Sequence, residues 1–158
     1  VSFSFVKEDV THQTADETQA ILTYELSKVF DCLYHQDGDK AADLMAQTEF
    51  ADTISMTRML CEQSLVDFNE YAFAPAVTLD STHKLLALSF ISLGNVIQRR
   101  HYTKRFGFAK QGDTESTIGQ FIRSLRVLAQ HLKWDFWALS DLGEKRYIER
   151  MKDLRGIR

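Results

Sequence analysis

Residues 48–68, TEFADTISMTRMLCEQSLVDF, recur in register 68 positions later as residues 116–136, STIGQFIRSLRVLAQHLKWDF. Ile54/Ile122, Arg58/Arg126, Leu60/Leu128, Asp67/Asp135 and Phe68/Phe136 are identical, and apolar residues match apolar residues at most other positions. Self-similarity at a fixed period marks a supersecondary unit copied within the chain, and here the unit reads as helical. The copies differ in their acids. Glu49 and Asp52, at i and i+3, correspond to Thr117 and Gln120. If the ancestral unit held a metal ion, only the first copy keeps the oxygen donors for it.

The pattern around the repeat predicts long helices. Ile21/Leu22, Leu26, Val29/Phe30 and Leu33 recur at helical spacing after Thr14, a candidate N-cap with Glu17 three residues on, so a first helix is expected over about 15–34. Gln36-Asp37-Gly38-Asp39 breaks it, and His35 beside those acids reads as an exposed turn rather than a ligand. A second helix is expected from Lys40 to about Leu65, with an interruption near Gln47, then a short segment around Phe68–Phe73 and a linker at Pro75. Asp80 or Ser81 can cap a third long helix to about His101, and a fourth runs from about Thr114 to Leu132. Trp134–Leu139 repeats the short Val66–Tyr71 segment, and a last helix covers Leu142–Leu154, ending before Gly156. The first ten residues read as an extended arm.

Each half is thus a helical hairpin that cannot bury its apolar stripe alone. The expected fold is all-α: a four-helix bundle built from two tandem hairpins, with pseudo-repeats at about 15–73 and 81–155, plus a C-terminal helix, in one domain over 1–158. Seven Gly and one Pro among 158 residues are too few breakers for an all-β chain, and that length buries a core without staples. Cys32 and Cys61, without CxxC spacing, read as reduced core thiols. With no long apolar stretch and no leader-like N-terminus, a cytoplasmic protein without membrane attachment is expected.

The net charge of −3 conceals a division. Residues 1–80 carry four basic and 15 acidic side chains, a balance of −11, whereas 81–158 carry 15 basic and seven acidic, a balance of +8. The halves attract, either within the chain or head to tail in a homodimer. Arg99–Lys110 mixes cations with Tyr102, Phe106 and Phe108, and its Lys104 and Arg105 are candidate phosphate contacts. An acidic chain without a nucleic-acid-binding signature gives little reason to expect nucleic acid. Ser-His-Asp sets, a P-loop and Gly-rich dinucleotide fingerprints are absent from the sequence.

The candidate chemistry lies in the first half. In an antiparallel hairpin Glu25 can face Glu49 and Asp52, and three carboxylates on one face make a hard oxygen site suited to Mg²⁺ or Mn²⁺. Glu25-Leu26-Ser27-Lys28 followed by Glu49-Phe50-Ala51-Asp52 resembles the ExxE and ExxD motifs of the MazG-type, all-α nucleoside triphosphate pyrophosphohydrolases. The element order over roughly 17–155 and the closing GEKRYIERMKDLR also look like that family. The chain departs from it at Lys28, where the family has an acid, and in the second half Ser92, Asn95, Thr117 and Gln120 stand at all four acid positions.

The resemblance implies Mg²⁺-dependent conversion of a nucleoside triphosphate to monophosphate and pyrophosphate, with Glu25, Glu49 and Asp52 holding the metal. Two roles are open to Lys28. Its ammonium can neutralise the carboxylates as a salt bridge, leaving an inactive nucleotide-binding or assembly module, or it can contact a phosphate oxygen beside a working metal site.

Overall fold

The computed structural model describes residues 13–35, 40–73, 81–107 and 111–154, all helical apart from short connections. Six helices follow one another: α1 Ala15–His35, α2 Lys40–Ser64, α3 Phe68–Ala72, α4 Thr82–Phe106, α5 Gln111–His131 and α6 Phe136–Leu154. The all-α class expected from periodicity is the class observed. The N-terminal arm, the turn at 36–39 with the His35 side chain, the Pro75 linker, Phe108–Lys110 and Gly156 lie outside the described residues.

Helix starts follow the expected chemistry. Thr14 and Glu17 form a reciprocal capping box, Thr14 N donating to Glu17 Oε1 and Glu17 N to Thr14 Oγ1, each at 3.1 Å. Ser81 caps α4 by accepting from Lys84 N at 3.3 Å, and Asp80, the other candidate cap, lies outside the described residues. Three boundaries differ from expectation. Helix α2 runs unbroken through Gln47, whose amide donates to Asp43 Oδ2 at 2.7 Å one turn earlier. Helix α4 continues past His101 to Phe106, where Tyr102 and Phe106 stack at 5.7 Å, and it stops at Gly107, whose φ of 65° allows its N–H to reach Thr103 O at 2.9 Å. Helix α6 begins at Phe136, six residues early, because Asp135 accepts from Ala138 N and starts the helix there.

The chain divides into two compact units, Val1–Leu60 with Asp135–Arg158, and Cys61–Trp134. In the first, α1 buries Leu22, Leu26 and Val29, and α2 is buried around its whole circumference from Phe50 to Leu60. The hydroxyls this encloses bond back to their own helix: Thr53 to Glu49 O at 2.9 Å, Ser55 to Ala51 O at 3.3 Å and Thr57 to Thr53 O at 2.8 Å. Helix α6 runs antiparallel to α2, Ser140 opposite Arg58 and Gly143 opposite Ala51 and Ser55. A Cβ at Gly143 would overlap the Ala51 carbonyl oxygen, so the bare glycine is what lets the two backbones come this close.

In the second unit α4 and α5 pack along their lengths through Leu85, Leu86, Leu93 and Val96 on one side and Ile118, Phe121, Ile122 and Leu125 on the other. The short α3 lies against α5, its Tyr71 ring over Gly119. Cys32 and Cys61 are both buried free thiols. Among the described residues no helix is long and apolar enough to cross a membrane.

Candidate functional site

Glu25 lies on the inward face of α1, one turn beyond the fully buried Leu22, and Glu49 and Asp52 lie on adjacent turns of α2. The hairpin brings them together: one carboxylate oxygen from each lies within 4.8 Å of the others. The Glu25 and Asp52 side chains are only 5% and 6% exposed, so this is an interior acid cluster rather than a solvated face.

Three cations surround it. Lys28, one turn after Glu25, places Nζ 3.7 Å from Glu25 Oε2 and 3.7 Å from Glu49 Oε2, and 4.4 Å from the centroid of the Tyr24 ring. Arg146 on α6 grips Asp52 side-on with two donors from one edge of its guanidinium, Nε to Oδ1 at 2.9 Å and Nη2 to Oδ2 at 3.1 Å. One turn later, Arg150 Nη2 adds a longer contact to Oδ2 at 3.4 Å. The planar guanidinium matches both oxygens of Asp52, whereas the Lys28 ammonium sits as a point charge at a distance too long for a hydrogen bond.

The acids are therefore unequally served. Asp52 has both oxygens bonded, but Glu25 Oε2 and Glu49 Oε2 are buried without a hydrogen-bond partner. Burial is the main cause that raises the Glu25 carboxyl above its ordinary pKa of 4.5; Lys28 opposes it, and the charges of Asp52 and Glu49, with a hydrogen bond to Glu49, add to the rise. Partial burial works to lower the Lys28 pKa, yet the fields of Glu25 and Glu49 outweigh it and the ammonium is held more firmly than usual. The Arg146 pKa is likewise raised, chiefly by its hydrogen bond to Asp52. Cys32, on the same helix as Glu25, is pushed up by burial and stays a thiol, which makes it a poor nucleophile.

The donor set fits a small divalent cation in kind. All three ligands are carboxylate oxygens, and two of them lack partners. Mg²⁺ at about 2.0–2.1 Å from each oxygen takes ligand atoms no more than about 4.2 Å apart, and the three oxygens, all within 4.8 Å of one another, stand close to that spacing.

Of the residues singled out in the sequence, Glu25, Lys28, Glu49 and Asp52 form this one cluster. Lys104 and Arg105 belong to the second unit, in the last turn of α4, where positive charge complements the helix dipole and Arg105 lies 5.3 Å from the centroid of the Phe106 ring. Arg146 and Arg150 were not foreseen. Their signal was present in α6, two arginines spaced i, i+4 beside Tyr147 and Met151 on the stripe that faces inward. No family model, curated protein or solved structure matches this chain.

Proposed function

We propose that the chain is a divergent MazG-like nucleotide pyrophosphohydrolase, hydrolysing a nucleoside triphosphate to monophosphate and pyrophosphate with Mg²⁺ held by Glu25, Glu49 and Asp52. The observation that carries this reading is the pair of buried carboxylate oxygens, Glu25 Oε2 and Glu49 Oε2, that face the same space without a hydrogen bond. An unsatisfied buried charge costs several kcal/mol, and Lys28 at 3.7 Å offsets only part of it. A divalent cation would satisfy both oxygens, and when bound it would supply the positive charge that polarises a phosphate chain. Lys28, Arg146 and Arg150 then become available as anion-binding groups, each between a third and a half exposed and able to turn toward phosphate oxygens.

A second reading, an inactive nucleotide-binding or assembly module in a cytoplasmic setting, is favoured by a different observation. Arg146 already occupies both oxygens of Asp52, and three acids meet three bases, so the cluster is neutral as it stands.

Calorimetric titration with Mg²⁺, together with pyrophosphate release from a panel of nucleoside triphosphates, separates the readings. The enzyme binds Mg²⁺ and releases pyrophosphate, and Asp52→Ala abolishes both. The inactive module does neither as wild type but gains Mg²⁺ binding in Lys28→Glu. Absence of metal and nucleotide binding in both proteins refutes the hydrolase reading and the metal site together.

A further inference from the structure

The second unit holds a cavity of about 490 Å³ between α4 and α5, within the range of small-molecule sites. From α4 it takes Asn95, Gln98, Arg99 and Tyr102, and from α5 it takes Ser116, Thr117 and Gln120. Among the described residues no carboxylate lines it. Three of the four positions at which the family resemblance places acids in the second half, Asn95, Thr117 and Gln120, thus meet around one space, with amides and a hydroxyl where acids would stand.

The chemistry of such a lining is one-sided. Three primary amides, a serine and a threonine hydroxyl, a phenol and a guanidinium offer many N–H and O–H donors and, among the described residues, a single formal positive charge and no negative one. Among these side chains a cation finds no counter-charge. An anion rich in acceptor oxygens finds both the charge of Arg99 and a ring of neutral donors. Inorganic phosphate alone would leave most of the cavity unfilled. At its end Tyr102, 46% exposed, stacks on Phe106, also 46% exposed, giving an aromatic surface against which an organic portion can lie.

We infer that the α4–α5 cavity binds a phosphate monoester, with Arg99 on the phosphate and Asn95, Gln98 and Gln120 on the polar body of the ligand. This site is separate in sequence and chemistry from the acid cluster, and it stands or falls independently of the hydrolase reading.

The test is calorimetry of the full chain in EDTA, so that no divalent cation contributes, with ribose 5-phosphate and adenosine 5′-monophosphate as probes. At least one ester binds saturably below about 10 mM, and Arg99→Gln and Gln120→Glu each weaken it at least about tenfold. Both side chains are exposed, so the variants should keep the wild-type circular dichroism melting curve. Equal affinity for the two esters means that phosphate and sugar alone are read; tighter binding of the nucleotide, lost in Tyr102→Ala, adds stacking of the base, and either result supports the site. No saturable binding of either ester, binding indifferent to Arg99→Gln and Gln120→Glu, or binding abolished instead by Lys28→Ala overturns it.

Discussion

Leu65 and Lys133, 68 positions apart, hold the same left-handed backbone conformation, with φ of 58° and 60°, and they are the only non-glycine residues at positive φ among the described residues. Each is the turning point of one and the same helix ending. Val66 N bonds Cys61 O and Trp134 N bonds Ala129 O, both at 2.9 Å, the six-to-one bond of a Schellman cap. The buried Val66 and Trp134 follow, and then Asp67 and Asp135, whose side chains cap α3 and α6. Glycine is the usual residue at such a position because a Cβ there costs about 1–2 kcal/mol. Lys133→Gly and Leu65→Gly should therefore each stabilise the fold by about 0.5–1 kcal/mol after the entropy of the freer unfolded chain is subtracted. Urea denaturation midpoints measure this, and a lowered midpoint in both variants would contradict the strain argument.

Gly143 gives the opposite result. Gly143→Ala places a methyl group against the Ala51 carbonyl and the Ser55 hydroxyl, where the neighbours are backbone or packed helix and cannot withdraw. The expected loss is about 1–3 kcal/mol. Because α6 must move outward, the reach from Arg146 to Asp52 lengthens as well, and the melting temperature falls; if the acid cluster holds Mg²⁺ as proposed, titration of the variant shows a changed affinity in addition.

Arg146 and Arg150 make unequal contributions. Arg146→Ala removes a two-pronged charged hydrogen bond from the buried Asp52 and should cost about 1.5–3 kcal/mol. Arg150→Ala removes one long, half-exposed contact and should cost under about 1 kcal/mol. Comparable losses in chemical denaturation would mean that the two arginines share the pairing and that the two-pronged geometry of Arg146 adds nothing.

Glu25 sets a pH dependence of uncommon sign. Its carboxyl is raised in the folded state above the ordinary 4.5, so between 4.5 and the raised value the folded chain holds more protons than the unfolded one. The Glu25 contribution to stability is therefore present below 4.5 and is lost as pH rises through the folded pKa. Glu25→Gln should be more stable than wild type at neutral pH and should lack this part of the slope. A variant less stable at pH 7, with an unchanged slope, would show that Lys28 compensates the charge fully.

The helices were readable because their caps and apolar periods are local. Thr14 with Glu17 and Ser81 ahead of Leu85 and Leu86 carry their own instructions, and the observed caps match them. The early start of α6 was harder to read, since Trp134–Leu139 looked like a copy of Val66–Tyr71 and the cap at Asp135 serves a short helix as well as a long one. The convergence of Glu25, Glu49 and Asp52 was legible from hairpin spacing alone. Arg146 was not, because it meets Asp52 from 94 residues away, across a contact permitted by one glycine whose role depends on the neighbour rather than on its own segment.

Lys28 is attached to the same helix as Glu25, and that tether changes how the acid cluster meets its surroundings. A dissolved counter-ion comes and goes with its concentration, but this ammonium is always present at the effective concentration of an intramolecular partner, on the order of millimolar or higher. Any ion entering between Glu25 and Glu49 competes with that fixed supply. Because that supply is fixed, it multiplies the dissociation constant of the entering ion by one constant factor: filling stays hyperbolic but shifts to a higher free-ion concentration, by an amount that the length of one lysine side chain sets.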